Sequence, residues 1–301
     1  MDGGTMQTVK PWWKRTLDFP LVAGVLVLLA VVVPMNAASL ALRQVPQGAL
    51  SDPAYWAIRG TLIPLLVLLI YRWITARVGE DREDAVPLNG ELLGGLRGAL
   101  LGFAMMTLTV LVALVLGGYR ILGWGGGSSF VQSLFILTIF AAITEEVIVR
   151  GIIFRFLEQF AGSWFALAFS SALFGLGHWF NPNATLLTSV AIAIEGGVLL
   201  GGAYMLTRNL WLAIGLHAGW NFTQGFIWDV PVSGFGMDGL VQAQPAGSVL
   251  ISGGAFGMEG SVIGFAVATV VGVWLVAQAV RRGHIIRPWW VRRRLAREAE
   301  A

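Results

Sequence analysis

Apolar residues run through this chain in long unbroken stretches, not in alternation, at about 19–42, 56–74, 92–116, 130–156, 164–179, 184–206, 210–228 and 260–280. Each stretch approaches the roughly 20 residues a helix needs to cross a hydrocarbon layer. Away from water every backbone N–H and C=O must pair within its own segment, which selects helices over irregular chain; the missing period-two alternation argues against a barrel. The expected fold is all-α: a polytopic membrane helical bundle of about eight transmembrane helices. Lys10, Lys14 and Arg15 before the first stretch, with "NAAS" after it, also fit a signal peptide. The apolar run exceeds the usual signal length and further spans follow, so a retained first helix is the reading adopted.

Composition agrees with that solvent, since 56% of the 301 residues are hydrophobic and only 12% are charged. With no cysteine in the chain, thiolate zinc sites, disulfides and a cysteine nucleophile are excluded together. The formal net charge of +3 does not point to nucleic acid, because the cations sit at span ends and in the tail, where topology and anionic lipid account for them. Arg72, Arg77, Arg82, Arg155, Arg208 and the cluster from Arg281 to Arg297 fall on one side, whereas the glycine-rich loop 229–259 has no lysine or arginine. Both termini are therefore expected in the cytoplasm, in the plasma (inner) membrane. The chain reads as a single membrane domain over 1–301, with a basic cytoplasmic tail at 281–301 in contact with lipid. The stretch "GEDREDAV" (79–86) reads as a solvated loop. Gly94, Gly98, Gly102, Gly197 and Gly201 read as close helix packing.

The chemistry is sought among polar residues inside the spans, because an ionisable group in hydrocarbon persists only with a partner or a wet cavity. These are Glu145, Glu146, Arg150, His178, Glu195 and His217, with Asn221 one turn beyond His217. Four residues apart on a helix, Glu146 and Arg150 share a face in the favourable acid-before-base order and read as a buried structural ion pair. Glu145 is rotated away, unpaired, and suited to proton transfer. A hairpin turning at Ala161 and Gly162 brings Glu145 and His178 to one level. Taking Arg155 and Glu158 as markers of the cytoplasmic interface puts Glu145 about 15 Å inward, and His217 about 13 Å in from Arg208. Glu195 is read as structural, either bonded into the same cavity or neutralising an arginine.

At this point the residues resemble a known family. "EEVIVR" matches an EExxxR signature, "FGLGH" (Phe174 to His178) an FxxxH signature and "HAGWN" (His217 to Asn221) an HxxxN signature. In that order, on separate spans, they are similar to the CAAX protease and bacteriocin-processing enzyme family of intramembrane endopeptidases, which includes CAAX prenyl protease type 2-like and abortive-infection proteins. The resemblance covers about 130–228, taken as the catalytic core.

The resemblance implies that Glu145 and His178 activate a water for attack on a peptide carbonyl and that His217 and Asn221 stabilise the oxyanion. Glu146 and Arg150 would hold the helix carrying the base, and Phe174 would pack beside the site. A two-histidine, one-carboxylate zinc set of Glu145, His178 and His217 is the alternative to metal-independent glutamate catalysis. The absence of HExxH, and the pairing of Glu146 with Arg150, favour catalysis with no cofactor over one with zinc. A GxSG serine site and an intramembrane aspartate pair are both absent. The implied partner is a membrane-associated, lipid-anchored or leader peptide reaching a site that opens towards the cytoplasm. The competing readings are a proton-coupled transporter or channel and a catalytically silent immunity or chaperone-like protein of the same fold.

Overall fold

Where apolar stretches are longest and least interrupted, helices form and persist because their side chains offer nothing to compete with the backbone hydrogen bonds. The computed structural model describes residues 11–46, 48–88 and 91–300; Lys10, one of the cations used for orientation, lies outside them. A short α1 (Trp12–Asp18) leads into α2 (Pro20–Arg43), α3 (Asp52–Thr75) and α4 (Leu92–Val115). Residues 130–161 form one continuous helical rod: α5 (Phe130–Gln132), a π segment (Ser133–Phe140), α6 (Ala141–Glu146), a second π segment (Val147–Phe154) and α7 (Arg155–Ala161). It is followed by α8 (Ser163–His178), α9 (Leu186–Thr207) and α10 (Trp211–Phe222), which a π segment (Thr223–Ile227) extends. After the short α11 (Val249–Ser252) come α12 (Val262–Arg281) and the tail helix α13 (Trp289–Glu300). The helices α2, α3, α4, α9 and α12 are long and apolar enough to cross a membrane. The fold is an all-α bundle, as expected.

One small sheet was not anticipated. Strand β1 (Tyr119–Trp124) pairs antiparallel with β2 (Val241–Pro245), joining two distant loops at one end of the bundle. The opposite end carries both ends of the described chain: the Phe19 ring stands 5.8 Å from that of Trp289 and 5.8 Å from that of Phe160.

At that second end one expectation is corrected and another refined. Arg155 and Glu158, taken as interface markers, are only 2% and 1% exposed. The Arg155 guanidinium donates to the carbonyls of Asp81 and Glu83 and to the Tyr71 hydroxyl, and Glu158 takes a bidentate bond from Arg208 at 3.1 and 2.7 Å. The stretch 79–86 is a loop with Glu80, Arg82, Glu83 and Asp84 exposed, as expected, but its carbonyls fold over Arg155 and Ala85 and Val86 are buried. The physical reason is satisfiability. A guanidinium carries five donors, and carbonyls of a folded-in loop meet them as well as water would. Depth measured inward from Arg155 therefore starts from a buried residue.

Candidate active site

The helices that carry polar residues pack through small ones. A Cβ on Gly98 or Gly102 of α4 would come within 2.4 or 2.3 Å of α10 carbonyls, and one on Gly215 or Gly219 of α10 within 1.9 or 2.1 Å of the α4 backbone. Between α8 and α9, Gly175 lies against the Ser189 carbonyl and Gly197 against Ser171, at 2.3 and 2.4 Å for the added atom. Such approach fixes α8, α9 and α10 around the rod 130–161. A cavity of about 140 Å³ remains between them, lined among others by Glu145, Phe174, His178, Glu195, His217 and Asn221. The four positions singled out for chemistry, Glu145, His178, His217 and Asn221, thus share one space, although they come from three separate parts of the chain.

Their partners differ. Glu146 is completely buried, and its Oε1 accepts from Arg150 Nη1 at 2.9 Å and from His217 Nδ1 at 3.0 Å. The ion pair expected between Glu146 and Arg150 is present, and the same carboxylate oxygen also holds a cavity histidine. Arg150 also donates to the Gly196 carbonyl at 2.7 Å, and its guanidinium carbon lies 4.6 Å from the Phe174 ring centre. Phe174 in turn stands 4.6 Å from the His178 ring and 6.3 Å from the His217 ring. A Cβ on Gly196 would meet that phenyl ring at 2.3 Å, so the glycine makes room for it.

His178 Nδ1 lies 2.8 Å from the Phe174 carbonyl. A carbonyl only accepts, so Nδ1 carries the hydrogen and the neutral ring offers Nε2 as an acceptor. His217 faces a carboxylate instead, which stabilises an imidazolium and leaves Nε2–H free to donate. Asn221 Nδ2 donates to the Leu137 carbonyl at 2.9 Å, within the first π segment, where i→i+5 bonding displaces the regular ladder. One amide N–H of Asn221 stays uncommitted. Glu145 makes no hydrogen bond, and its Oε2 is buried without a partner.

The cavity also holds residues the sequence had not singled out. Glu259, 5% exposed, lines it, with Asn181 and Ser233 beside it. Its Oε2 accepts from the Ser233 backbone N–H at 2.6 Å and from the Ser233 hydroxyl at 2.9 Å. Burial raises the Glu259 carboxyl above its usual range; the Ser233 hydrogen bonds and the charges of His178 and His217 oppose this. Glu195, 3% exposed, lines the cavity with both carboxylate oxygens unpartnered, so it neutralises no arginine. The length of the loop 229–259, well beyond ordinary connections, was the available signal for Glu259 and Ser233. The cavity lining reaches the surface at Phe235, 45% exposed, in that same loop.

Against known families, residues 127–223 match type II CAAX prenyl endopeptidase, Rce1-like proteins. Over that segment the chain is similar to the CAAX protease and bacteriocin-processing enzyme family, in line with the resemblance carried by its three motifs. No curated protein and no solved structure matches it. The matched segment runs from just before the rod to the start of the last π segment and contains every motif residue from Glu145 to Asn221. That match supports a membrane endopeptidase in general, with a membrane-associated substrate. A zinc centre is the cofactor at issue. Among the described residues no three His, Cys, Asp or Glu side chains converge as a set that would hold a metal ion. Glu146 is bonded to His217, and both cavity histidines are engaged through Nδ1.

Proposed function

We propose that this protein hydrolyses a peptide bond of a membrane-associated substrate by glutamate catalysis, in a single membrane domain whose catalytic core is 130–228. The observation carrying this reading is the division of the two histidines: His178 is held by a carbonyl and His217 by a carboxylate. His178 Nε2 accepts a hydrogen bond from a water while Glu145 removes that water's other hydrogen as a proton. The resulting hydroxide attacks the peptide carbonyl carbon, and charge passes to the carbonyl oxygen. His217 Nε2–H and the free Asn221 N–H donate to that oxyanion, a contribution of several kcal/mol to the barrier in comparable sites. On collapse the C–N bond breaks and the proton taken by Glu145 goes to the leaving amine, giving one carboxylic acid and one amine. With His217 protonated, Glu145, Glu146, Arg150 and His217 sum to zero charge, as a buried set requires.

Two variants test this in detergent-purified protein. Glu145→Ala removes only the base and is expected to abolish cleavage, by at least about a hundredfold on the usual scale of general-base loss, with the melting temperature unchanged. Glu146→Ala leaves Arg150 buried and uncompensated, costs about 3–5 kcal/mol of stability, and lowers activity as well by releasing His217. Cleavage by Glu145→Ala at the parental rate would sink the mechanism.

A further inference from the structure

The ionisable groups lining the cavity are three carboxylates, Glu145, Glu195 and Glu259, and two histidines; no lysine or arginine lines it. Arg150 is engaged away from the cavity by Glu146, the Gly196 carbonyl and the Phe174 ring. With Glu145 balanced within the set it forms with Glu146, Arg150 and His217, Glu195 and Glu259 are left with no lysine or arginine lining the cavity beside them. Glu195 sharpens the point, because at 3% exposure both of its oxygens are buried with no hydrogen-bond partner. Buried carboxylates with nothing to accept from are costly, and proteins retain them where a ligand supplies the donors. Glu259 is fixed by Ser233 through Oε2 alone, which leaves Oε1 without a hydrogen bond. Trp220, an aromatic residue, lines the same cavity.

We infer that Glu195 and Glu259 form a subsite for a positively charged side chain of the substrate, so that this enzyme cuts peptides carrying arginine or lysine beside the scissile bond. This rests on the peptidase reading and adds the substrate class to it. A guanidinium presents its donors as a planar fork and can serve two carboxylates at once, so arginine is preferred to lysine. Hydrolysis itself is unaltered: Glu145 remains the base, and Glu195 and Glu259 act by holding the chain in register.

The test uses matched membrane-anchored peptides carrying arginine, lysine, citrulline or norleucine at each position flanking the cut. Citrulline has the shape of arginine without its charge. The expected result is kcat/KM at least tenfold higher for arginine than for citrulline at one position, with Glu195→Gln erasing that ratio. Equal cleavage of the two peptides by the parent enzyme, or an undiminished ratio in Glu195→Gln, overturns the subsite. A binding arm separates this from failure of the peptidase reading. The Glu145→Ala protein, titrated with the same peptides, should bind arginine at least tenfold tighter than citrulline even where no turnover is seen. Equal dissociation constants there overturn the subsite independently of catalysis.

Discussion

Adjacent in sequence, Glu145 and Glu146 part company because one residue of helix rotation aims them at different neighbours. Spacing alone made the Arg150 partner of Glu146 legible, since four residues bring side chains together on any helix. The contact with His217 was not legible, because it joins positions 71 apart in the chain and depends on how two helices pack. Glu259 was further from view: nothing local marks a loop carboxylate as a cavity wall. It carries a testable consequence for stability. Burial raises its pKa in the folded state, against the Ser233 hydrogen bonds and the charges of His178 and His217, with Glu195 across the cavity. The folded protein therefore holds this proton more tightly than the unfolded chain does. The resulting stability is fully present below the ordinary glutamate range, near about 4.3, and is lost as pH rises through the raised value. Melting temperature in detergent should fall across that window, and Glu259→Gln should flatten the slope. A slope identical in parent and variant removes Glu259 as its cause.

Among the elements, α10 matters most because it carries both His217 and Asn221 and is held by backbone contact with α4. The glycines at 98, 102, 197 and 201 were correctly read as packing positions: an added Cβ at each meets a neighbouring helix within 2.6 Å. Gly94 is looser, with its nearest neighbour at 3.6 Å. Gly219→Val forces α10 away from the Ala99 backbone and should cost about 1–3 kcal/mol by overpacking, together with a loss of cleavage as Asn221 leaves the Leu137 carbonyl. Gly123→Ala in β1 is the matched control, since nothing lies within 4 Å of the added atom. Thermal melting and peptide cleavage should separate the two variants; equal behaviour would mean that the α4–α10 contact does not set the site. The π segments of the rod escaped the sequence because its apolar pattern suits α and π turns alike. Their effect is felt at one atom, the Leu137 carbonyl that receives Asn221.

For the molecule as a whole, the arrangement of ends decides how substrate arrives. The tail helix α13, α1 and the folded-in stretch 79–86 gather at one end, with Arg155 and Glu158 buried beneath them. The cavity reaches the surface at Phe235, in the loop 229–259 at the other end, where β1 pairs with β2. The expected cytoplasmic opening rested on depths measured from Arg155 and Arg208, and Arg155 lies at the tail end, buried beneath the stretch 79–86. If charge orients the bundle, with the arginine-rich tail in the cytoplasm, the mouth at Phe235 faces the opposite compartment. The chain has no cysteine, so single introduced thiols report on sidedness without background. Phe235→Cys should react with a membrane-impermeant maleimide in intact cells, whereas Arg294→Cys, in the exposed face of α13, should react only after permeabilisation. Labelling of both from the same side would place the mouth and the tail in one compartment and restore a cytoplasmic route. Opposite labelling means that the substrate is cut as it emerges on the face away from the tail, where the loop carrying Ser233 and Glu259 is the first part of the site it meets.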